Sequence, residues 1–165
     1  MKALLEATQA NLQQLRALIV AVAADDYARP CAGASSGVGT HVRHILDHYR
    51  ALRAGLASGC VDYNCRSRGS VIEQEPAAAL SQLTQLQAWL AEGVWQEEPL
   101  EIETEISVAA SVNLRLASSL SRELCYLINH TVHHLAYSRL VAAQLGYELD
   151  TRLGLAPATA TFLRQ

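Results

Sequence analysis

Four stretches of this chain carry apolar residues at the spacing of one helix face, and that periodicity constrains the fold more than any other feature of the sequence. From Lys2 to about Asp25, Leu4, Leu5, Leu12, Leu15, Ile19 and Val22 recur near helical intervals with polar residues between them. A second helix is predicted from about Val38 to Leu56, with Gly59 ending it. A third runs from about Pro76, a residue suited to the first helical position, to Ala91 on Leu80, Leu83, Leu86 and Leu90. The fourth and longest spans about Leu120 to Leu145, opened by a capping serine among Ser118, Ser119 and Ser121 and closed by Gly146.

The connections are less regular. Pro30, Gly33, Ser35 and Ser36 mark Tyr27 to Gly37 as a loop leading into a helix. Between Cys60 and Glu75 the period is lost, and Tyr63, Arg66, Arg68 and Gly69 suggest an ordered, irregular crossover. From Pro99 to Ser107, Leu100, Ile102, Thr104 and Ile106 alternate with Glu101, Glu103, Glu105 and Ser107, which is the period of a strand. Leu153 to Gln165 reads as a tail with one helical turn near Pro157. The expectation is an all-α fold: a four-helix bundle with a long crossover, one domain over residues 1–165, and a short β-hairpin between the third and fourth helices.

Composition narrows the function classes. The chain has 165 residues, half of them apolar, enough for one sizeable core and too few for a second. Net charge is −3 and no Lys/Arg cluster offers the basic face that phosphate backbones require, so nucleic acid is not an expected partner. The apolar run Ala17 to Ala24 is far shorter than the roughly 20 residues of a membrane span, and no membrane partner is expected. Cys31, Cys60, Cys65 and Cys125 form no CxxC pair, which argues against a zinc ribbon or redox motif and for a reduced, cytoplasmic setting. Cys125 is expected in the core; Cys60 and Cys65, in a Gly-containing connection, are expected to be partly exposed.

All six histidines fall in two short windows, His41 to His48 and His130 to His134. At about 100° per residue, His41, His44 and His48 lie within an arc of roughly 60° on one helix face. His130 and His134 stand one turn apart, the spacing by which two imidazoles of HExxH helices grip one zinc ion. Neutral imidazole suits Zn²⁺ or Ni²⁺, and three protein nitrogens with an open position characterise catalytic sites. His41 and His48 are about 10 Å apart along the axis, so the central His44 is the geometric favourite as the second helix's ligand. His41, His48 and His133 are expected to support the ligands or the packing. Asp47 and Glu123 can orient an imidazole or act as a base, although each reads more readily as a solvated helix charge. Tyr49, Tyr126 and Tyr137 can line a pocket but suit core packing better. No GxGxxG, GxxxxGK[ST] or GxSxG string occurs, which argues against a nucleotide site or a serine-hydrolase elbow.

Three segments together resemble the DinB/YfiT-like superfamily: Ser36 to Tyr49 with its three histidines; Val61-Asp62-Tyr63 with Arg66 and Arg68; and Arg122-Glu123-Leu124 through Asn129-His130-Thr131-Val132-His133-His134. The resemblance implies a dimeric four-helix bundle whose metal is held by one histidine of the second helix, here His44, and a pair on the last, here His130 and His134. It also implies a reaction class, since the superfamily includes enzymes that use a low-molecular-weight thiol, among them mycothiol-dependent maleylpyruvate isomerase and bacillithiol S-transferases. After the last histidine, Leu135-Ala136-Tyr137 stands where the commoner pattern has Arg-Gly-Gln or similar. The expected function is a metal-dependent enzyme, a thiol S-transferase or hydrolase acting on a small electrophile. The alternative is a non-catalytic metal-binding or dimeric interaction protein. Bis-histidine haem binding has less support, with no CxxCH and a single Phe.

Overall fold

The computed structural model describes all residues from Met1 to Gln165. In chain order it comprises α1 (Lys2–Ala21), the single turn α2 (Ala24–Tyr27), α3 (Val38–Ser58), β1 (Cys60–Asp62), a 3₁₀ turn (Val71–Glu73), α4 (Pro76–Glu92), β2 (Pro99–Glu105), β3 (Asn113–Ser119), α5 (Leu120–Gln144) and α6 (Pro157–Phe162). No helix is long and apolar enough to cross a membrane.

The all-α expectation is overturned: the chain is helix-rich but mixed, with a three-stranded sheet in the order β1-β2-β3. β2 and β3 form an antiparallel hairpin in which Ile102 faces Leu116, and β1 adds to it in parallel, Val61 facing Ile102. The third strand escapes sequence reading because three residues cannot display a period; its pairing comes from β2, some forty positions away in the chain. Two glycines prepare it. Gly59 closes α3 with a left-handed φ of 78° and its N–H bonded to the Gly55 carbonyl, turning the chain directly into β1. Gly55 lets β1 lie against α3, since a Cβ there would meet the Val61 Cα at 2.7 Å.

α1 packs on α5 and α4, and α3 on α5 and α4. The core they enclose is built from Leu12, Leu15 and Leu18 of α1, Ile45, Leu46 and Tyr49 of α3, Leu83 and Leu86 of α4, and Leu124, Leu127 and Leu135 of α5, all fully buried. The helix expected to continue to Asp25 stops at Ala21, and Val22 is extended. Tyr147 holds this break: its hydroxyl accepts from the Ala23 N–H at 3.1 Å and donates to Asp26 at 2.7 Å. At the start of α5, Ser119 caps the Arg122 N–H, and β3 runs straight into the helix, so the hairpin sets where α5 begins.

Candidate metal centre

α3 and α5 lie side by side, and their histidine faces meet. His44, His130 and His134 each present a ring nitrogen so that no pair is farther apart than 4.8 Å. The Nε2 atoms of His44 and His130 are 3.1 Å apart. Two nitrogens each about 2.0–2.1 Å from one ion stand about 3.1 Å apart when they subtend about 100°, so this pair has the separation that shared coordination demands. The group can hold a metal ion, and it contains neither a carboxylate nor a cysteine.

The protonation state suits ligation. Burial, followed by the neighbouring His48 and His134 imidazoles, lowers the pKa of His44 to about 2. Burial and His48 lower that of His130 to about 3; burial and His41 lower that of His134 to about 3. All three rings are therefore neutral at neutral pH, the form that ligates a metal.

The flanking histidines hold this cluster in place. His41 Nδ1 lies 3.1 Å from His134 Nδ1, and His41 Nε2 lies 3.0 Å from the Ser36 hydroxyl. His134 thus keeps only Nε2 free. When Nε2 faces a metal, the Nδ1 proton donates to His41, whose own proton then sits on Nε2 and donates to Ser36. His48, 3% exposed, donates from Nδ1 to the His44 carbonyl at 2.9 Å, and its ring sits 4.1 Å from that of His130. His133 is exposed, edge-on to His134 at 5.1 Å, and makes no ring hydrogen bond.

Aromatic rings flank the cluster. Tyr126 stacks on His130 at 5.4 Å, Tyr63 on His48 at 5.2 Å, and Tyr137 lies 4.5 Å from His41. Tyr49 is instead a core residue whose hydroxyl reaches Thr131. Burial and the Glu123 carboxylate raise the pKa of Tyr63, which donates to Glu123 at 2.6 Å.

Neither acidic candidate is a solvated charge. Glu123, 2% exposed, accepts from Tyr63 and from Ser118. Asp47, 4% exposed, accepts from Arg43 at 2.7 Å and from the Ser67 N–H and hydroxyl at 2.9 and 2.6 Å. Arg43 also holds Glu73 at 2.6 Å, so the crossover after β1 is pinned to α3 at both its start and its end. Cys125 is exposed rather than in the core, Cys65 is exposed, Cys60 half-buried and Cys31 buried.

Sequence reasoning missed two contacts of the centre: the Ser36–His41–His134 chain and Arg66, whose Nη1 lies 3.4 Å from His44 Nδ1. The Arg66/Arg68 pair in an aperiodic segment was the only local signal for the second.

No protein-family model matches the chain, and no solved structure matches it. Among curated proteins it is similar to FK506-binding protein 5 of Rhizopus delemar, 27% identical over 107 residues, which is 64% of this chain. The matched region spans 28% of that relative's length.

Proposed function

We propose that this chain is a DinB-like, metal-dependent enzyme that transfers a thiol to, or hydrolyses, a small electrophile, using His44, His130 and His134 to hold a divalent ion. The observation that carries the reading is the convergence of three neutral imidazoles from two helices within 4.8 Å, with no fourth protein ligand in the group. Zn²⁺ and Ni²⁺ suit an all-imidazole donor set. When bound, such an ion supplies Lewis acidity, lowering the pKa of a thiol or water so that a nucleophile exists at neutral pH. A low-molecular-weight thiol is the cosubstrate the resemblance suggests.

The chain's own residues supply the rest. His44 is carried by α3 and His130 by α5, and His134 is oriented through His41 and Ser36. Tyr63 and Tyr126 wall the side of the centre next to His48 and His130. Arg66 supplies fixed positive charge beside His44 and favours an anionic nucleophile or substrate over a neutral one.

The test is metal analysis of protein purified without chelator or affinity-tag histidines, followed by Zn²⁺, Ni²⁺ and Co²⁺ titration and a thiol-transfer screen. Tight binding of one ion per chain, with turnover abolished in His134→Ala, is the expected result. A protein that binds none of these ions overturns the proposal. One observation favours the non-catalytic alternative: Asp47 and Glu123, the two acidic candidates for a base, are both engaged by other groups. Metal binding without turnover of any thiol or ester probe would establish that alternative.

A further inference from the structure

A groove of about 810 Å³ opens between α3, the crossover after β1 and α4, lined among others by Asp47, Arg50, Arg53, Arg66, Ser67 and Gln82. Its volume is that of a small-molecule site. Although the chain carries a net charge of −3, three guanidiniums line this one groove against a single carboxylate, Asp47, which Arg43 and Ser67 engage. Arg53 and Arg66 have no carboxylate within 4.0 Å, and Arg50 has only a 3.4 Å contact to Asp47, which Arg43 and Ser67 already occupy. Arg16, Arg68, Arg122, Arg139 and Arg164 also lack an acid partner; what sets Arg50, Arg53 and Arg66 apart is that they line one groove. Arg53 lies over the Trp89 ring, 5.9 Å from its centroid.

The groove is not isolated from the histidines. Arg66 lines it and also reaches to 3.4 Å from His44 Nδ1, so the two sites share a wall one side chain thick. Three guanidiniums repel one another more than one shared carboxylate offsets, and a divalent ion at the histidines would add to the same potential. An anion in the groove relieves both, and guanidiniums are the side chains best shaped to take carboxylate or phosphate oxygens in pairs.

We infer that this groove is the anion subsite of the histidine centre, holding the carboxylate, sulfonate or phosphate end of a small molecule whose reacting end lies at His44, His130 and His134. The assignment to the centre rests on the metal-enzyme reading; the anion site itself does not, and the experiment separates the two.

In the first arm, metal-free protein is titrated with inorganic phosphate, followed by Trp fluorescence and calorimetry. Saturable binding that weakens with added salt is expected, with about tenfold loss in an Arg50→Gln/Arg53→Gln variant, since two exposed charge pairs are removed. Arg53→Lys, which keeps the charge but not the fork, should retain part of the affinity, and circular dichroism checks that the variants fold. No saturable binding, or binding unchanged in the double variant, overturns the proposal. In the second arm, Co²⁺-loaded protein is titrated with 3-mercaptopropionate and with 2-mercaptoethanol, read by the sulfur-to-cobalt charge-transfer band. About tenfold tighter binding of the anionic thiol, lost in the double variant, places the anion on the thiol. Equal binding of the two thiols beside intact phosphate binding places it on the electrophile. Phosphate binding with no cobalt binding keeps the anion site and removes the metal reading.

Discussion

Replacing Asp47 by alanine removes the acceptor around which the crossover is folded. Its Oδ2 takes a 2.7 Å bond from Arg43 and a 2.9 Å bond from the Ser67 N–H, and its Oδ1 takes a 2.6 Å bond from the Ser67 hydroxyl. Breaking a buried ion pair from one side costs about 3–5 kcal/mol, because the surviving charge is left uncompensated. Here Arg43 keeps its 2.6 Å bond to Glu73, and Ser67 is only half-buried, so water can reach its freed donors. The loss should therefore lie at the lower end, about 3 kcal/mol, a factor of about a hundred in the folded-to-unfolded ratio. With a urea m-value of about 2 kcal/mol/M, the midpoint should fall by about 1.5 M at unchanged m. Asp47→Asn, which keeps the shape but not the charge, should lose about half as much. The variant should also separate the two sites: His44 is set by α3 itself, whereas Arg66 is carried by the segment that Asp47 anchors. Metal affinity should hold, whereas phosphate affinity should change, because the groove loses both its one carboxylate and the anchor of Arg66. A midpoint shift equivalent to less than about 1 kcal/mol, the value of a surface pair, would refute the reasoning and mean that the cluster behaves as a solvated network.

His44→Ala, His130→Ala and His134→Ala should each reduce metal affinity severely, because three ligands leave no redundant nitrogen. His41→Ala, which only releases His134 from its anchor, should cost about 10- to 100-fold in the same calorimetric titration. If His48→Ala abolishes binding and His44→Ala does not, the ligand on α3 is misassigned. Alkylating the accessible cysteines of native protein should leave the metal bound, since no cysteine belongs to the histidine group; metal release in step with modification, followed by atomic absorption, would contradict this. Metal-free protein should lose stability in acid. The folded pKa values of the three imidazoles, about 2 to about 3, lie below the ordinary value of 6.5, so between about pH 3 and 6.5 the unfolded chain binds more protons and stability rises with pH. Their contribution is fully present above pH 6.5, and urea midpoints at pH 7 and pH 5 that do not differ in this direction would count against it.

The sequence by itself determined what depends on neighbours within one or two turns. Apolar spacing located α3, α4 and α5 to within a few residues, and the helical intervals of His41, His44 and His48 on one helix and of His130 and His134 on another decided that each set shares a face. Even Cys125 obeys this rule in hindsight: one step of about 100° beyond the buried Leu124 turns it outward, although the surrounding run is uniformly apolar. Only the tertiary structure decided what depends on partners far away in the chain. The parallel pairing of β1 with β2 made the fold mixed rather than all-α, and Tyr147 ended α1 from more than a hundred residues away. Packing of α3 on α5 set His41 against His134, and the crossover buried Asp47 and brought Arg66 to His44. Backbone period fixes which face a side chain occupies, but not which element covers that face. A charged residue such as Asp47 reads as solvated until the chain supplies Arg43 and Ser67 to satisfy it.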